Sequence, residues 1–246
     1  MDTANLTGIP SITHILEPAC RTPSVPEAVQ VEPAAILFAD IIGFTCMTED
    51  WSPDEAMYFL RNYQQRMATQ VIQHEGNVIQ YQGDAIVAAF CGSYDTRCAA
   101  GAALSCAFVM LDTIAAWSAD RSARGELPLS IGIGIHFGLV GMGQIGVQQH
   151  LEQAIAGDTV NVARKLEALT RKLGASIVVS DELFGAIRWE VYRGLGIDAL
   201  KHHGRCRIAR RASSISIWLL PREPLTGASC PEPERGTLDC NFQSLG

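Results

Sequence analysis

The chain has 246 residues, of which 48% are hydrophobic and 18% are charged. This composition favours one substantial packed domain and excludes wholesale disorder. The net charge of −7 argues against a general nucleic-acid-binding protein, which would usually be basic. It does not exclude a nucleotide substrate, because a few local cations or bound metal ions can hold a triphosphate.

The cysteines and the apolar segments of the sequence bear on the cellular location of the protein. The eight cysteines are scattered without a Cys-x-x-Cys pair, so a zinc site is poorly supported, although their even number leaves disulfides open. The first ten residues lack a basic region followed by an apolar one, and no uncharged apolar run reaches the ~20 residues needed to cross a bilayer. We therefore expect a cytoplasmic protein with neither membrane nor nucleic-acid partners.

Two proline-rich ends flank a patterned middle. Residues 1–33 contain five prolines and residues 221–246 contain four. We interpret 1–33 as an N-terminal extension, with a short helix around Ile12–Leu16, and 221–246 as a flexible tail. Residues 34–220 are then one folded domain.

The middle part alternates strands with helices. In chain order the predicted elements are a strand over Ala34–Ala39, a helix from Ser52 to about His74, strands over Val78–Tyr81 and Ala85–Phe90, a helix over Thr96–Ser118, a strand over Leu129–Val140, a helix over Thr159–Leu173, a strand over Ser176–Val179, a helix over Asp181–Trp189 and a strand over Ser214–Leu220. This βαββαβ order with additions predicts an α+β, ferredoxin-like core with extra strands and helices.

Two aspartates stand where metal–phosphate chemistry is possible. Asp40 ends an apolar strand, and Asp84 lies in a glycine turn between two strands. Carboxylates supply the hard oxygen ligands that Mg²⁺ prefers, and the N–H groups of a glycine turn can face phosphate oxygens. Each aspartate alone could equally be an ordinary turn residue.

In context, the two aspartates are more specific, because the sequence resembles the class III adenylyl/guanylyl cyclase family over about residues 34–220. The resemblance rests on four blocks in the family's order: Phe38–Thr45, Gly83–Phe90, Gly132–Gly138 and Gly157–Ala163. It implies a nucleotidyl cyclase that converts a nucleoside triphosphate to a 3′,5′-cyclic nucleotide and pyrophosphate.

The resemblance also implies roles for the metal ligands. Asp40 and Asp84 would bind two divalent ions, Mg²⁺ or Mn²⁺, with help from the Ile41 carbonyl. One ion would lower the pKa of the ribose 3′-hydroxyl, and the other would neutralise the departing pyrophosphate.

Further roles follow from the same resemblance. The N–H groups of Gly43, Phe44 and Thr45 would hold the β- and γ-phosphates, Asn161 would orient the ribose, and Lys201 would contact the triphosphate unless it is only a solvated surface charge. The resemblance implies a homodimer in which each active site takes its metals from one chain and Asn161 from the other.

Three positions depart from the family pattern. The position of the adenine-reading lysine is Gln80, the second base-reading position is Ala154, and the transition-state arginine is replaced by Lys165, with Arg164 beside it. Lysine keeps the charge but lacks the guanidinium fork. Arg164 could substitute after a change of register.

The missing purine signature leaves the base open. A glutamine at position 80 can offer a donor and an acceptor to adenine, cytosine or uracil, whereas Ala154 offers no side-chain hydrogen bond. Polar Gln82 stands where purine cyclases usually have an apolar residue. The chain in this respect resembles the pyrimidine cyclases of bacterial Pycsar anti-phage systems, which would imply UTP or CTP as substrate, cUMP or cCMP as product, and a downstream effector that senses the cyclic nucleotide.

Alternative interpretations remain. The enzyme could be an adenylate cyclase, or the departures could mark a degenerate domain that dimerises or binds nucleotide without turnover. His136 lies in a strand and is expected to be structural, and His202-His203 is expected to be a solvent-exposed pair.

Overall fold

The architecture was analysed in a computed structural model, which describes residues 29–91, 99–147, 150–187, 196–207 and 214–223. The predicted N-terminal helix, most of the predicted tail and the ends of two predicted helices lie outside these residues. The sequence-based expectations for those parts therefore stay predictions.

Eight strands and five α-helices make up the described part of the chain. The strands are β1 (Gln30–Ile41), β2 (Asn77–Gln82), β3 (Ala85–Cys91), β4 (Ile131–Val147), β5 (His150–Ala156), β6 (Ala175–Ser180), β7 (Lys201–Arg207) and β8 (Ser214–Pro221). The helices are α1 (Phe44–Met47), α2 (Pro53–Gln73), α3 (Ala99–Ala123), α4 (Asp158–Leu173) and α5 (Asp181–Ala186).

All eight strands belong to one mixed sheet. Its order is β2-β3-β1-β4-β6-β8-β7, and β5 pairs with the far end of β4. Neighbours are antiparallel except β4 and β6, which run parallel and are connected through α4. The predicted α+β fold with a βαββαβ core is confirmed: β1, α2, β2, β3, α3 and β4 make up the core, and the elements from β5 to β8 are additions to it.

The two faces of the sheet are covered by different helices. Side chains of Ala35, Leu37 and Ala39 on β1 pack in one core with α2 and α3. The alternate residues Ile36 and Phe38 point to the opposite face, where α4 lies. Since α4 reaches only part of that second face, the rest of it is where a site can form.

The start of α2 follows the predicted capping chemistry. The backbone N–H of Ser52 donates to the Glu55 carboxylate at 2.9 Å, and Pro53 occupies the first turn. The pair closes a capping box that fixes where α2 begins.

Several elements were not predicted from the sequence. β7 carries mostly exposed polar residues, so no apolar alternation marks it as a strand. β4 continues seven residues beyond the predicted end at Val140, and this extension forms a hairpin with β5. The glycines of the extension hid the strand, because glycine is typical of loops.

α3 is long and apolar enough to cross a membrane, but half of its most apolar window is buried inside the fold. A core helix that packs on a sheet has the same composition. Among the described cysteines, Cys91, Cys106 and Cys206 are free, whereas Cys46 is disulfide-bonded.

Glycines on β4 let α4 approach the sheet closely. A Cβ atom at Gly134 would collide with backbone atoms of Ala163 and Glu167 on α4. Backbone atoms cannot rotate away as a flexible side chain can, so the spacing between β4 and α4 depends on the missing side chain.

We expect Gly134→Ala to lower the free energy of unfolding by about 2–3 kcal/mol, because the added methyl group must push α4 off the sheet. Gly185→Ala is the matched control, since a Cβ at Gly185 meets no atom within 4 Å. Denaturant unfolding of both variants checks this expectation. Equal stability of the two would show that α4 does not depend on the close approach.

Candidate functional site

Asp40 lies at the end of β1 on the α4 face of the sheet. It follows Phe38 by two residues, so the two side chains share a face. β1 is a central strand between β3 and β4. The Asp40 carboxylate is consequently held by a rigid strand at the edge of the face that α4 leaves uncovered.

Asp84 lies in the turn that connects β2 to β3. Gly83 has a φ of 64°, which favours glycine, and its carbonyl accepts a hydrogen bond from the Gln64 side chain of α2 at 3.2 Å. Because β3 pairs with β1, the turn brings Asp84 beside Asp40. Burial, together with the neighbouring Asp40 carboxylate, raises the pKa of Asp84 to about 7.

Arg171 of α4 is the counterion of Asp40. Its Nη2 donates to Asp40 Oδ2 at 2.6 Å and approaches the Ile41 carbonyl oxygen at 3.5 Å, while Nη1 donates to Glu167 Oε1 at 2.5 Å. One guanidinium thus connects two carboxylates and the carbonyl predicted to be a metal ligand. These contacts fix Asp40 so that Oδ2 faces α4.

The remaining oxygen of Asp40 has the surroundings that a cation requires. Oδ1 is buried and has no hydrogen-bond partner. The hydroxyl of the fully buried Tyr63 also has no hydrogen-bond partner. Burial raises the pKa of Tyr63, and the charges of Asp40, Asp84 and Glu167 raise it further. Three carboxylates with one guanidinium leave a negative balance, so a divalent cation fits between Asp40 and Asp84.

Within the part of the chain that the structure describes, no third metal-binding side chain joins Asp40 and Asp84. Among the described residues, no group of three or more His, Cys, Asp or Glu side chains could hold a metal ion. Backbone oxygen such as that of Ile41, substrate oxygens and water would have to complete the coordination, which is common for Mg²⁺.

The predicted phosphate turn follows β1 directly. Gly43 has a φ of 76° and precedes the short helix α1, which contains Phe44 and Thr45. The first N–H groups of a helix have no partner within it. They are therefore suited to phosphate oxygens, and phosphate binding by this turn stays a prediction from the sequence.

Aromatic stacking anchors this turn to the core. The ring of Phe44 stacks on Phe59 of α2 with centroids 5.9 Å apart, and Phe59 stacks on Trp117 of α3 at 5.0 Å. The guanidinium of Arg121 lies 5.2 Å from the Phe59 centroid. The position of the turn is thus set by α2 and α3 on the opposite face of the sheet.

A chain of polar side chains connects β2 with α4. Arg164 Nη2 donates to Gln82 Oε1 at 3.1 Å, and Gln82 Nε2 donates to Gln80 Oε1 at 3.1 Å. Gln80 is the predicted base-reading residue, and Arg164 is one of two candidates for the transition state. The structure brings both together through Gln82.

The other predicted residues do not meet Asp40 or Asp84. Asn161 and Lys165 lie on α4, Ala154 on β5, and Lys201 at the start of β7. No hydrogen bond or ion pair within the described ranges connects these four residues to either aspartate.

The histidines behave as expected from the sequence. His136 is buried and lies 2.7 Å from Ser180 Oγ through Nδ1, which is a structural contact. His202 and His203 are exposed, and His202 contacts Ser216 Oγ at 2.8 Å. They are not a metal pair.

Three site residues were missed from the sequence: Arg171, Glu167 and Tyr63. Glu167 and Arg171 form an i, i+4 pair on α4, which the spacing alone would have indicated as an ordinary helix-surface ion pair. Tyr63 has the apolar spacing of a core residue in α2. Only the approach of α4 and α2 to the end of β1 shows that all three surround Asp40.

A model of the adenylate and guanylate cyclase catalytic domain family matches residues 27–193. The adenylate cyclase of Anabaena cylindrica is 36% identical over 152 residues, which are 60% of this chain and 29% of the relative. Adenylate cyclase 1 of Rhizobium meliloti (strain 1021) is 33% identical over 145 residues, 58% of this chain and 22% of the relative. The chain spans less than a third of the length of these two curated relatives.

The fold resembles a solved cyclase. The crystal structure of the adenylyl cyclase CyaB from P. aeruginosa superposes with a TM-score of 0.67 at 22% identity, covering 80% of this chain and 98% of that one. At this identity the likeness concerns the fold alone.

We expect Arg171→Ala to lower the free energy of unfolding by about 1–2 kcal/mol in chelating buffer, because Asp40 and Glu167 lose a partly buried counterion. Mn²⁺ should restore much of the loss, since a divalent ion supplies positive charge beside Asp40. Thermal unfolding with and without Mn²⁺ measures both effects.

Arg124→Ala is the matched control, because Arg124 pairs with Glu126 on the surface, and we expect little change in the free energy of unfolding. No Mn²⁺-induced rise in Tm in either wild type or Arg171→Ala would contradict a cation site at Asp40.

Proposed function

The chain belongs to the family of adenylate and guanylate cyclase catalytic domains, and we propose that it converts ATP to 3′,5′-cyclic AMP and pyrophosphate. The observation that carries the proposal is the Asp40–Asp84 pair at the end of two neighbouring strands, with a buried Asp40 oxygen left without a partner. The choice of ATP is supported by the relatives named as adenylate cyclases at 33–36% identity.

Asp40, Asp84 and the Ile41 carbonyl would hold two divalent ions, Mg²⁺ or Mn²⁺. When bound, such ions lower the pKa of the attacking 3′-hydroxyl and stabilise charge on the pyrophosphate. Arg171 keeps Asp40 Oδ2 engaged and so orients Oδ1 toward Asp84. The Gly43–Thr45 turn holds the β- and γ-phosphates through backbone N–H groups that its aromatic anchor keeps in place.

In this proposal, Lys165 stabilises the negative charge that develops in the transition state. The Arg164 guanidinium is engaged by Gln82, whereas Lys165 makes no ion pair or hydrogen bond within the described residues. Lysine offers a single point charge and no bidentate fork. Asn161, four residues earlier on α4, lies one turn away and would orient the ribose.

A pyrimidine substrate stays a prediction from the sequence. Neither of the two curated relatives described above is named as a pyrimidine cyclase, and nothing in the geometry of the site selects an anti-phage role. A degenerate, non-catalytic domain is disfavoured because a pair of close carboxylates is costly to keep without a cation.

We expect the purified protein with Mn²⁺ to form cyclic AMP as its main product when ATP, GTP, CTP and UTP are supplied separately and products are identified by mass. Asp40→Asn should reduce turnover by about 10³-fold or more, because it removes a metal-binding charge. Asp54→Asn, at an exposed position of α2, is the control and should keep wild-type turnover.

A dominant cyclic pyrimidine nucleotide would replace ATP by CTP or UTP in the proposal. No cyclic product from any of the four nucleotides would refute the enzyme itself.

We propose further that the active form is a homodimer. The hairpin formed by the end of β4 and β5, which we call the β4–β5 arm, lies beside the start of β1 and carries exposed apolar side chains. The side chains of Leu139, Ile145 and Val147 on β4 and of Val31 on β1 are 63–73% exposed. A group of large apolar side chains in water is typical of a protein interface. A dimer would also supply Asn161 and Lys165 to the aspartates of the other chain.

We expect Ile145→Asp to shift the protein toward monomer in light-scattering measurements and to lower turnover in parallel, because a charge is placed in the apolar arm. Ile72→Asp is the matched control, since Ile72 is equally exposed, at 67%, on α2. If Ile145→Asp becomes monomeric yet keeps full turnover, a shared site is excluded.

A further inference from the structure

We propose that Gln82 sets the base preference of the site by fixing which end of the Gln80 side-chain amide faces the substrate. Gln82 is then a positioning residue that acts through Gln80, and Arg164 is the group that orients Gln82. The inference rests on the proposed function, because it concerns the base of the nucleotide that is cyclised.

The three residues meet on the open part of the α4 face. On β2, Gln80 pairs with Val87 and Gln82 with Ala85, after a register shift between Val78 and Gln80. Val87 packs in the core on the α4 side of the sheet, so Gln80 and Gln82 share that side. β2 is an edge strand, which leaves both side chains accessible to a ligand.

The direction of the hydrogen bonds is fixed at the arginine end. A guanidinium has five N–H donors and no acceptor. Gln82 must therefore turn its Oε1 toward Arg164, which places its amino group toward Gln80. Gln80 must in turn accept through Oε1, and its own amino group keeps both N–H donors for another partner.

A glutamine oriented in this way acts chiefly as a donor. Lysine is also a donor only, so Gln80 can serve a base in the same sense as the lysine that this position resembles. On the Watson–Crick edge, adenine N1 and cytosine N3 are acceptors, whereas guanine N1 and uracil N3 carry a proton. If the Gln80 amino group is directed at purine N1 or pyrimidine N3, as we propose, the relay of Arg164, Gln82 and Gln80 favours adenine and cytosine over guanine and uracil.

The relay also gives a reason for a polar residue at position 82. A Gln80 without a neighbour on its strand could rotate its amide and present either end. Gln82 alone could rotate with it, since it carries a donor and an acceptor as well. Arg164, which lies 82 residues further along the chain on α4, removes this ambiguity.

Gln82→Glu tests the relay by reversing it. A carboxylate at position 82 accepts from Arg164 and can only accept from Gln80, so the Gln80 amide must turn and present Oε1 to the base. We expect the ratio of kcat/KM for ATP and CTP to that for GTP and UTP to fall by about tenfold, the effect of one hydrogen bond. Arg164→Ala should move the same ratio toward one, because Gln82 is then free to rotate.

Two controls distinguish the effect of turning the Gln80 amide from the effect of adding a negative charge. In a Gln80→Lys background, Gln82→Glu should leave the base ratio unchanged, because an ammonium group has no acceptor end to present. Gln65→Glu adds the same charge at an exposed position of α2 and should not change the ratio. A uniform loss for all four nucleotides in Gln82→Glu, or an unchanged ratio, would overturn the relay.

The wild-type profile distinguishes failure of the relay from failure of the proposed function. Preference for CTP over ATP would refute ATP as substrate but support the relay, since both bases present an acceptor. Preference for GTP or UTP would overturn the relay. If no nucleotide is cyclised, the dissociation constants of the four triphosphates with Mn²⁺ replace kcat/KM, and the same reversal in Gln82→Glu is required.

Discussion

The close approach of α4 to β4 is the constraint on which the site depends. It exists because Gly134 has no side chain to separate the helix from the strand. At this spacing the far end of α4 brings Arg171 to Asp40, and its middle brings Arg164 to β2. The position of this one helix thus sets both the charge around the proposed metal ligands and the hydrogen bonding near the predicted base-reading residue, although these lie on different strands.

Electrostatics at the end of β1 follow from the same packing. Asp40, Asp84 and Glu167 are only partly exposed or buried, and burial raises the pKa of Asp84 and of Glu167. Arg171 neutralises one charge and leaves the others to be balanced by what the site binds. An anionic nucleotide alone would add to the excess of negative charge, so nucleotide and cations are expected to bind together.

The sequence was sufficient to predict the fold and to place Asp40 at a strand end and Asp84 in a glycine turn, because strand ends and glycine turns are local patterns. It also placed the start of α2 correctly, since the capping box of Ser52 and Glu55 involves neighbouring residues. It could not predict Arg171 as the counterion of Asp40, because the two are 131 residues apart and meet only through the tertiary packing of α4. β7 was missed for a related reason: a polar edge strand is stabilised by pairing with β8 and carries no apolar pattern of its own.

The aromatic stack behind the phosphate turn has a thermodynamic consequence. A loop that becomes ordered only when a ligand arrives loses conformational entropy, and that loss weakens binding. Here Phe44 is already packed against Phe59, which packs against Trp117 of another helix. If the turn binds a triphosphate as proposed, it therefore has little freedom left to lose, and the weak contacts of a few backbone N–H groups can contribute almost fully to affinity.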